Sequence, residues 1–264
     1  LSYPEIVTLS GGRSVFIETD ERSEFKMTPA QLEKKITPKT KILILNSPSN
    51  PTGAVYRRKE LEALVPVLVK HPQLWILSDE IYEKLIFDGE THTSIASLDP
   101  ELAKRTLVVN GVSKAYSMTG WRIGYAACPK EIALAVSTLQ SHSTSNPTSF
   151  AQAGALAALE KGDPEAKRMC GIFEKRRDLF LAELKKLPKI KPFPPQGAFY
   201  LFVNIEETGL DSLRLTERLL EEARVAVVPG KVFGNDRHIR LSFACSEKEL
   251  LQASRRIGDW IRKL

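Results

Sequence analysis

Residues 42–53 read ILILNSPSNPTG, a short apolar run followed directly by polar and turn-forming residues. Two later stretches repeat this arrangement: residues 74–82 read LWILSDEIY, and residues 106–114 read TLVVNGVSK. None of the three apolar runs alternates with polar residues, which is typical of strands buried on both faces of a parallel sheet. Ligands in open α/β sheets bind beyond the carboxyl ends of the strands. The polar segments that follow the three runs are therefore the first candidates for a functional site.

The wider pattern predicts an α/β fold, a mostly parallel sheet between layers of helices, followed by a smaller α+β domain. We predict strands at Ile42–Leu45, Leu74–Leu77, Thr106–Val109 and Ile123–Ala127, with helices at 57–70, 130–142, 148–160 and 164–186. After Pro188 we predict strands at 198–204, 225–228 and 238–243, with helices at 212–222 and 246–263. The domain boundary is expected inside the long helix, which gives a large domain over 1–175 and a small one over 176–264.

Composition excludes several classes of protein. The 264 residues carry a net charge of +6, but basic residues mix with acidic ones in segments such as 165–168 and 174–178. That mixture is typical of a solvated helix face, so no nucleic-acid partner is predicted. The three cysteines are scattered, which indicates a reducing compartment and no disulfide framework. No apolar run approaches the roughly 20 residues of a membrane span, and the four dispersed histidines predict no metal centre.

Individual residues of the candidate site have plain structural interpretations as well as functional ones. Residues 50–53, Asn-Pro-Thr-Gly, are all turn formers. Asp79 follows an apolar strand, so its carboxylate either needs a buried partner or caps a turn. Lys114 is either a surface lysine or a reactive amine, and Arg122 in the non-helical stretch 118–122 could serve in an ion pair. The order of these residues after three consecutive strands is more informative than any one of them.

Together the motifs resemble those of the fold type I, class I aminotransferases, which use pyridoxal phosphate. The matching segments are residues 47–53 (SPSNPTG), 79–82 (DEIY), 113–114 (SK) with Arg122 eight residues after the lysine, and 239–243 (IRLSF). The resemblance runs through essentially the whole chain, in the same order and spacing. It is strongest to the bacterial and plastid type of aspartate aminotransferase, whose pattern residues 2–5 (SYPE) also fit.

The resemblance implies a role for each matching residue on the cofactor. Lys114 would carry the cofactor as a Schiff base and later move the substrate proton, tasks that need a neutral amine and hence a lowered pKa. Asp79 would pair with the pyridine nitrogen. Tyr82 and Asn50 would hydrogen-bond the phenolic oxygen. On this basis Lys114, Asp79 and Tyr82 form the expected catalytic set.

The resemblance also assigns the anionic groups of cofactor and substrate. Arg122 would bind the phosphate, and Arg240, with Asn50, the substrate α-carboxylate, because a guanidinium fork matches two oxygens at once. Some relatives have a serine on the phosphate where this chain has Gly111. We therefore expect that contact to be absent, or to be supplied by Ser113 or a neighbouring lysine.

The predicted function is transamination between an L-amino acid, best matched by aspartate, and a 2-oxo acid such as 2-oxoglutarate. The resemblance implies a homodimer in the cytoplasm, with a plastid as the alternative. It also implies a further N-terminal part before residue 1 that carries a phosphate cradle, so the chain is expected to be N-terminally truncated. Two alternatives stay open: another pyridoxal-phosphate reaction, such as a β-lyase or synthase, and a non-catalytic ligand-binding or regulatory module.

Overall fold

The computed structural model describes residues 2–264, which form ten α-helices and eight strands in two separate sheets. The helices are α1 (Ser2–Leu9), α2 (Pro29–Lys35), α3 (Arg58–Lys70), α4 (Pro100–Ala103), α5 (Val112–Ala115), α6 (Lys130–Ser141), α7 (Ser149–Lys161), α8 (Asp163–Leu184), α9 (Ser212–Ala223) and α10 (Glu247–Ile261). The strands are β1 (Ile42–Asn46), β2 (Trp75–Asp79), β3 (Thr106–Gly111), β4 (Gly124–Ala127), β5 (Lys191–Pro192), β6 (Tyr200–Asn204), β7 (Val228–Pro229) and β8 (His238–Ser242).

The first sheet has the order β1-β2-β3-β4, with the first three strands parallel and β4 antiparallel to β3. This confirms the predicted mostly parallel sheet. The register sets Asn46 beside Asp79 and Asp79 beside Val109, so the carboxyl ends of the three parallel strands are level. β2 and β3 extend further than predicted, to Asp79 and Gly111, because backbone ladder bonds continue through polar residues.

Helix α3 covers one face of this sheet with an apolar stripe. Leu61, Leu64 and Leu68 are spaced three and four residues apart and are at most 1% exposed. Burying each side chain stabilises the fold by about 1.5–3 kcal/mol. The prediction that all three strands are buried on both faces is wrong for the start of β1, where Ile42 is 55% exposed. The physical reason is that β1 is an edge strand of the first sheet.

The second sheet has the order β5-β6-β8-β7 and is antiparallel throughout. Helices α9 and α10 and the later part of α8 pack on it around one apolar core. The strand predicted at 225–228 is instead Val228–Pro229. Val225 lies too close to the end of α9, where its N–H donates to the Leu219 carbonyl and helps close the helix.

Helix α8 runs between the two regions. Phe180 and Leu184, in its last turns, belong to the core of the second sheet, and Ala166, in its first turn, does not. The division into 1–175 and 176–264 stays a prediction, and this packing supports it. Within residues 2–264 no helix combines the length and the apolar character that crossing a membrane requires.

Candidate active site

The loop after β1 is held against β2 by one side chain. Asn46 donates from Nδ2 to the Asp79 carbonyl at 3.0 Å and accepts the Asn50 N–H at 2.9 Å. The Ser47–Pro48 and Asn50–Pro51 peptide bonds are both cis. At the far end of the loop, the Gly53 carbonyl accepts the N–H groups of Gln196 and Gly197, both at 2.9 Å. The loop therefore joins the first sheet to the segment that precedes β6.

Asp79 is the last residue of β2 and uses both carboxylate oxygens. Oδ1 accepts the Ile81 N–H at 3.2 Å, a local turn cap, and Oδ2 accepts a hydrogen bond from the Tyr3 hydroxyl. Burial, and then the nearby Asp79 charge, raise the pKa of Tyr3, so this phenol stays a donor. Both sequence interpretations of Asp79, a capping residue and a carboxylate with a partner, therefore describe it. The motif at residues 2–5 contains Tyr3, but the sequence does not indicate its contact with Asp79.

Lys114 lies in α5, three residues after β3 ends, and its ammonium is aimed at aromatic rings. Its Nζ is 6.0 Å from the ring centroid of Tyr82 and 5.8 Å from that of Phe199. Burial lowers the pKa of Lys114, and the positive charges of Arg122 and Arg240 lower it further. This direction favours the neutral amine that a nucleophile or base requires.

Arg240 reaches the same place from β8 of the second sheet. Its Nη1 donates to the Asn50 Oδ1 at 2.8 Å. Its guanidinium carbon lies 4.4 Å from the ring centroid of Tyr200 and 5.2 Å from that of Phe233. Its Nε is buried and finds no hydrogen-bond partner among the described residues. The side chain is thus held in place with part of its donor set unused.

Tyr82 and Tyr200 form a buried pair at the centre of the site. Their hydroxyl oxygens are 3.0 Å apart, and their rings meet edge to face. Burial raises the pKa of Tyr82, and the neighbouring Tyr200 raises it further. Tyr200 was not predicted as a site residue. Its signal in the sequence was only its place at the start of an apolar strand.

Arg122 and Ser113 complete the predicted set around Lys114. Ser113 is the half-buried neighbour of Lys114 in α5. Arg122 is exposed, has a left-handed backbone (φ 57°), and donates from Nη1 to the Thr119 carbonyl at 2.9 Å. The stretch 118–122 was predicted as non-helical, but Thr119–Trp121 forms a single 3-10 turn. The prediction is wrong there because three residues are enough for such a turn.

Gly111 has a structural reason to lack a side chain. A Cβ at this position would lie 2.8 Å from the Ile123 carbonyl oxygen and 3.1 Å from the Gly124 Cα, because β4 approaches β3 closely here. A serine could therefore not be accommodated at Gly111 without movement of the backbone.

The residues brought together suit an anionic ligand with an electrophilic group. Lys114, Arg122 and Arg240 are close enough for the two arginines to lower the lysine pKa, and none of the three makes a salt bridge within residues 2–264. Uncompensated cations and an unused guanidinium N–H favour a bound phosphate or carboxylate. A lysine of lowered pKa beside them, with Asp79 and Tyr82 nearby, fits pyridoxal phosphate.

His92 lies beside two carboxylates, those of Glu80 and Glu83, outside the predicted site residues. Potential ligand atoms of Glu80, Glu83 and His92 lie within 4.8 Å of one another. The Glu80 carboxylate, however, already accepts hydrogen bonds from Ser78 and Ser94, each at 2.7 Å, and lies 2.8 Å from the His92 Nε2. We interpret the group as a buried polar network rather than a metal site.

The fold and the site define a class of protein, and comparison with known families agrees with it. The model of the aminotransferase class I and II family matches residues 1–257, and the chain belongs to that family. This confirms the predicted resemblance, the fold type I architecture, the enzyme class and the pyridoxal-phosphate cofactor that goes with it.

Individual relatives are similar over nearly the whole chain. An aspartate aminotransferase of Geobacillus stearothermophilus is 50% identical, covering 97% of this chain and 66% of its own length. An aspartate/prephenate aminotransferase of Cereibacter sphaeroides is 46% identical, covering 97% and 67%. The crystal structure of the aspartate aminotransferase from Rhizobium meliloti superposes with a TM-score of 0.95 at 41% identity, over 100% of this chain and 68% of the other. The chain thus spans about two thirds of the length of these relatives.

Proposed function

We propose that the protein transfers an amino group between an L-amino acid and a 2-oxo acid, with pyridoxal phosphate bound through Lys114. The observation that carries the proposal is the convergence of a lysine of lowered pKa with Arg122 and Arg240 at the carboxyl ends of the parallel strands. Aspartate and 2-oxoglutarate are the proposed pair. The names of the relatives, aspartate and aspartate/prephenate aminotransferases, support this choice.

Each side chain has a distinct task in the proposed reaction. When bound, the cofactor supplies an electrophilic carbonyl and a ring that accepts an electron pair. Lys114 is the covalent anchor and, as a neutral amine, moves the proton at the substrate α-carbon. Asp79 would hold the ring nitrogen, and the Tyr3 hydroxyl on its Oδ2 keeps that carboxylate oriented.

The two arginines divide the anionic groups between them. Arg122 would hold the phosphate together with Ser113. Arg240 binds the substrate α-carboxylate with its fork, and Asn50, already bonded to Nη1, sets the angle of that fork. Tyr82 and Asn50 would donate hydrogen bonds to the phenolic oxygen of the cofactor. The aromatic rings of Tyr82 and Phe199 lie beside the half-buried Lys114 amine and cover one side of it.

The test is an absorbance spectrum with added pyridoxal phosphate, followed by borohydride reduction and peptide mapping. We expect a visible band, a cofactor mass on Lys114 alone, and bleaching of the band by aspartate. Lys114→Ala abolishes the labelled peptide, whereas Lys84→Ala, a half-buried lysine paired with Asp163, leaves it intact. A labelled lysine elsewhere, or no label at all, contradicts the proposal. Release of free ammonia, with no amino group transferred to 2-oxoglutarate, would favour the lyase alternative.

The expected assembly is a homodimer in the cytoplasm. Support for association comes from the exposed apolar side chains of α6 and α7, with Leu139 73% and Phe150 71% exposed. Patches of this kind commonly mark a protein interface. Light scattering on the purified chain should report twice the monomer mass, and a monomer at micromolar concentration contradicts the dimer.

A further inference from the structure

We propose that Tyr200 is a positioning residue that couples the cofactor side of the site to the substrate side. Its hydroxyl orients the Tyr82 hydroxyl, and its ring holds the Arg240 guanidinium in place through a cation–π contact. The proposal rests on the proposed function, because it assigns Tyr82 to the cofactor and Arg240 to the substrate. Tyr200 itself is in neither of the predicted sets.

The hydroxyl of Tyr200 determines what Tyr82 does with its single proton. The two oxygens are 3.0 Å apart, and the residues are only 3% and 7% exposed, so water does not compete for the bond. A phenol has one proton to donate but can also accept. If Tyr82 donates to the phenolic oxygen of the cofactor, Tyr200 must be the donor to Tyr82. Such a chain of donors strengthens each bond in it.

The ring of Tyr200 holds Arg240 on the substrate side. In the β6–β8 register Tyr200 pairs with Ser242 and Phe202 pairs with Arg240, so Tyr200 and Arg240 are diagonal neighbours on one face. The guanidinium carbon lies 4.4 Å from the Tyr200 centroid, closer than its 5.2 Å to the Phe233 centroid, and the hydrogen bond to Asn50 is a further restraint. A cation–π contact uses the charge of the guanidinium and not its N–H groups, so these groups stay available to a ligand. The buried Arg240 Nε without a partner is one of them.

The two parts of the Tyr200 side chain therefore have separable functions. Tyr200→Phe removes the hydroxyl and keeps the ring, so Tyr82 becomes a weaker donor while Arg240 stays in place. Tyr200→Leu removes both. Tyr56→Phe is the matched control, since Tyr56 is also a buried phenol with one hydrogen bond, from the Met27 N–H at 2.7 Å, outside the site.

The experiment uses the full chain and measures two properties of each variant. The first is the pH midpoint of the visible absorbance of the bound cofactor. A weaker Tyr82 donor leaves more negative charge on the cofactor oxygen, so we expect Tyr200→Phe to raise this midpoint by up to about one pH unit, which is about tenfold in proton affinity. Tyr56→Phe should leave it unchanged.

The second property is the dissociation constant of succinate, a non-reacting dicarboxylate, measured with and without cofactor. Tyr200→Leu should raise it about threefold to thirtyfold, the range of a lost cation–π contact. Tyr200→Phe should change it less than about twofold. If Tyr200 had a purely structural role, the pH midpoint and the succinate dissociation constant would both change in step with the free energy of unfolding. Urea denaturation of each variant is therefore measured as well.

Two results overturn the proposal. One is a Tyr200→Phe variant that binds cofactor on Lys114 with an unchanged pH midpoint, and the other is equal loss of succinate affinity in both Tyr200 variants. Failure of the wild-type chain to take up cofactor is a different result, which contradicts the proposed function. In that case the cofactor-free succinate measurement still tests whether the Tyr200 ring positions Arg240.

Discussion

Gly53 lies where the loop after β1 meets the segment before β6. Its φ is +67°, and a Cβ there would lie 2.3 Å from the Pro195 Cβ and 2.8 Å from the Gly197 carbonyl oxygen. Gly53→Ala should therefore lower the free energy of unfolding by about 2–4 kcal/mol, combining backbone strain with overpacking. Urea denaturation followed by fluorescence measures the change.

Gly89→Ala separates these two causes. Gly89 has nearly the same φ, +71°, but no atom lies within 4 Å of a Cβ built there. Only the backbone cost of about 1 kcal/mol should remain. Equal losses in the two variants would mean that the contact with Pro195 has no energetic effect, and that the loop is free to move away from β6.

The 3-10 turn Glu21–Ser23 is tied to strand β8 through a buried histidine. The His238 Nε2 lies 2.6 Å from a Glu21 carboxylate oxygen, and the imidazole stacks on Phe202 with a centroid distance of 4.5 Å. Burial lowers the pKa of His238 from its ordinary 6.5, against the opposing effect of Glu21. The unfolded chain therefore binds the proton at a higher pH than the folded one.

The sign of this pH dependence follows from linkage. The stabilising effect of neutral His238 is fully present above pH 6.5 and declines as the pH falls from there through the folded-state pKa. We expect the urea midpoint of the wild type to fall between about pH 7 and pH 5, and His238→Gln to flatten that fall. Exposed His142 provides the control, because His142→Gln should preserve the wild-type slope. A slope unchanged by His238→Gln would contradict the assignment.

Arg177 links helix α8 to Asp88 and to the segment before β6. From α8 it forms a two-pronged pair with Asp88, at 2.6 and 2.8 Å, and its Nη1 also donates to the Pro195 carbonyl at 3.2 Å. Lysine cannot make this fork, so Arg177→Lys should lower the free energy of unfolding by about 1–3 kcal/mol. The loss is limited because Asp88 is half exposed, so solvent screens the ion pair.

Another arginine of the same helix is the natural comparison. Arg168 also makes a two-pronged pair, with Glu165, but both side chains are exposed and belong to one helix. Arg168→Lys should leave the urea midpoint nearly unchanged. If Arg177→Lys changed the urea midpoint as little as Arg168→Lys, the pair between Arg177 and Asp88 would not stabilise the fold.

Much of the architecture was predictable because it follows from local pattern. Apolar runs without alternation gave the three parallel strands, and the spacing of Leu61, Leu64 and Leu68 gave the buried face of α3. The ends of elements were less accurate, as at β2, which continues to Asp79, and at β7, which begins at Val228. Strand ends depend on the partner strand, and partners are distant in sequence.

The site divides in the same way. The sequence alone indicates Asn50, Asp79 and Lys114 as site residues, because each follows one of three consecutive strands and the chemistry requires such groups at strand ends. The family motif adds Arg240. Tyr200 and Tyr3 could not be assigned in this way. Their partners, Tyr82 and Asp79, lie 118 and 76 residues away, and nothing in the local pattern of an apolar strand or a short helix indicates such a contact. Pairings of this kind, and the pKa shifts that come with them, arise only when folding buries both groups together, because burial removes the competing water.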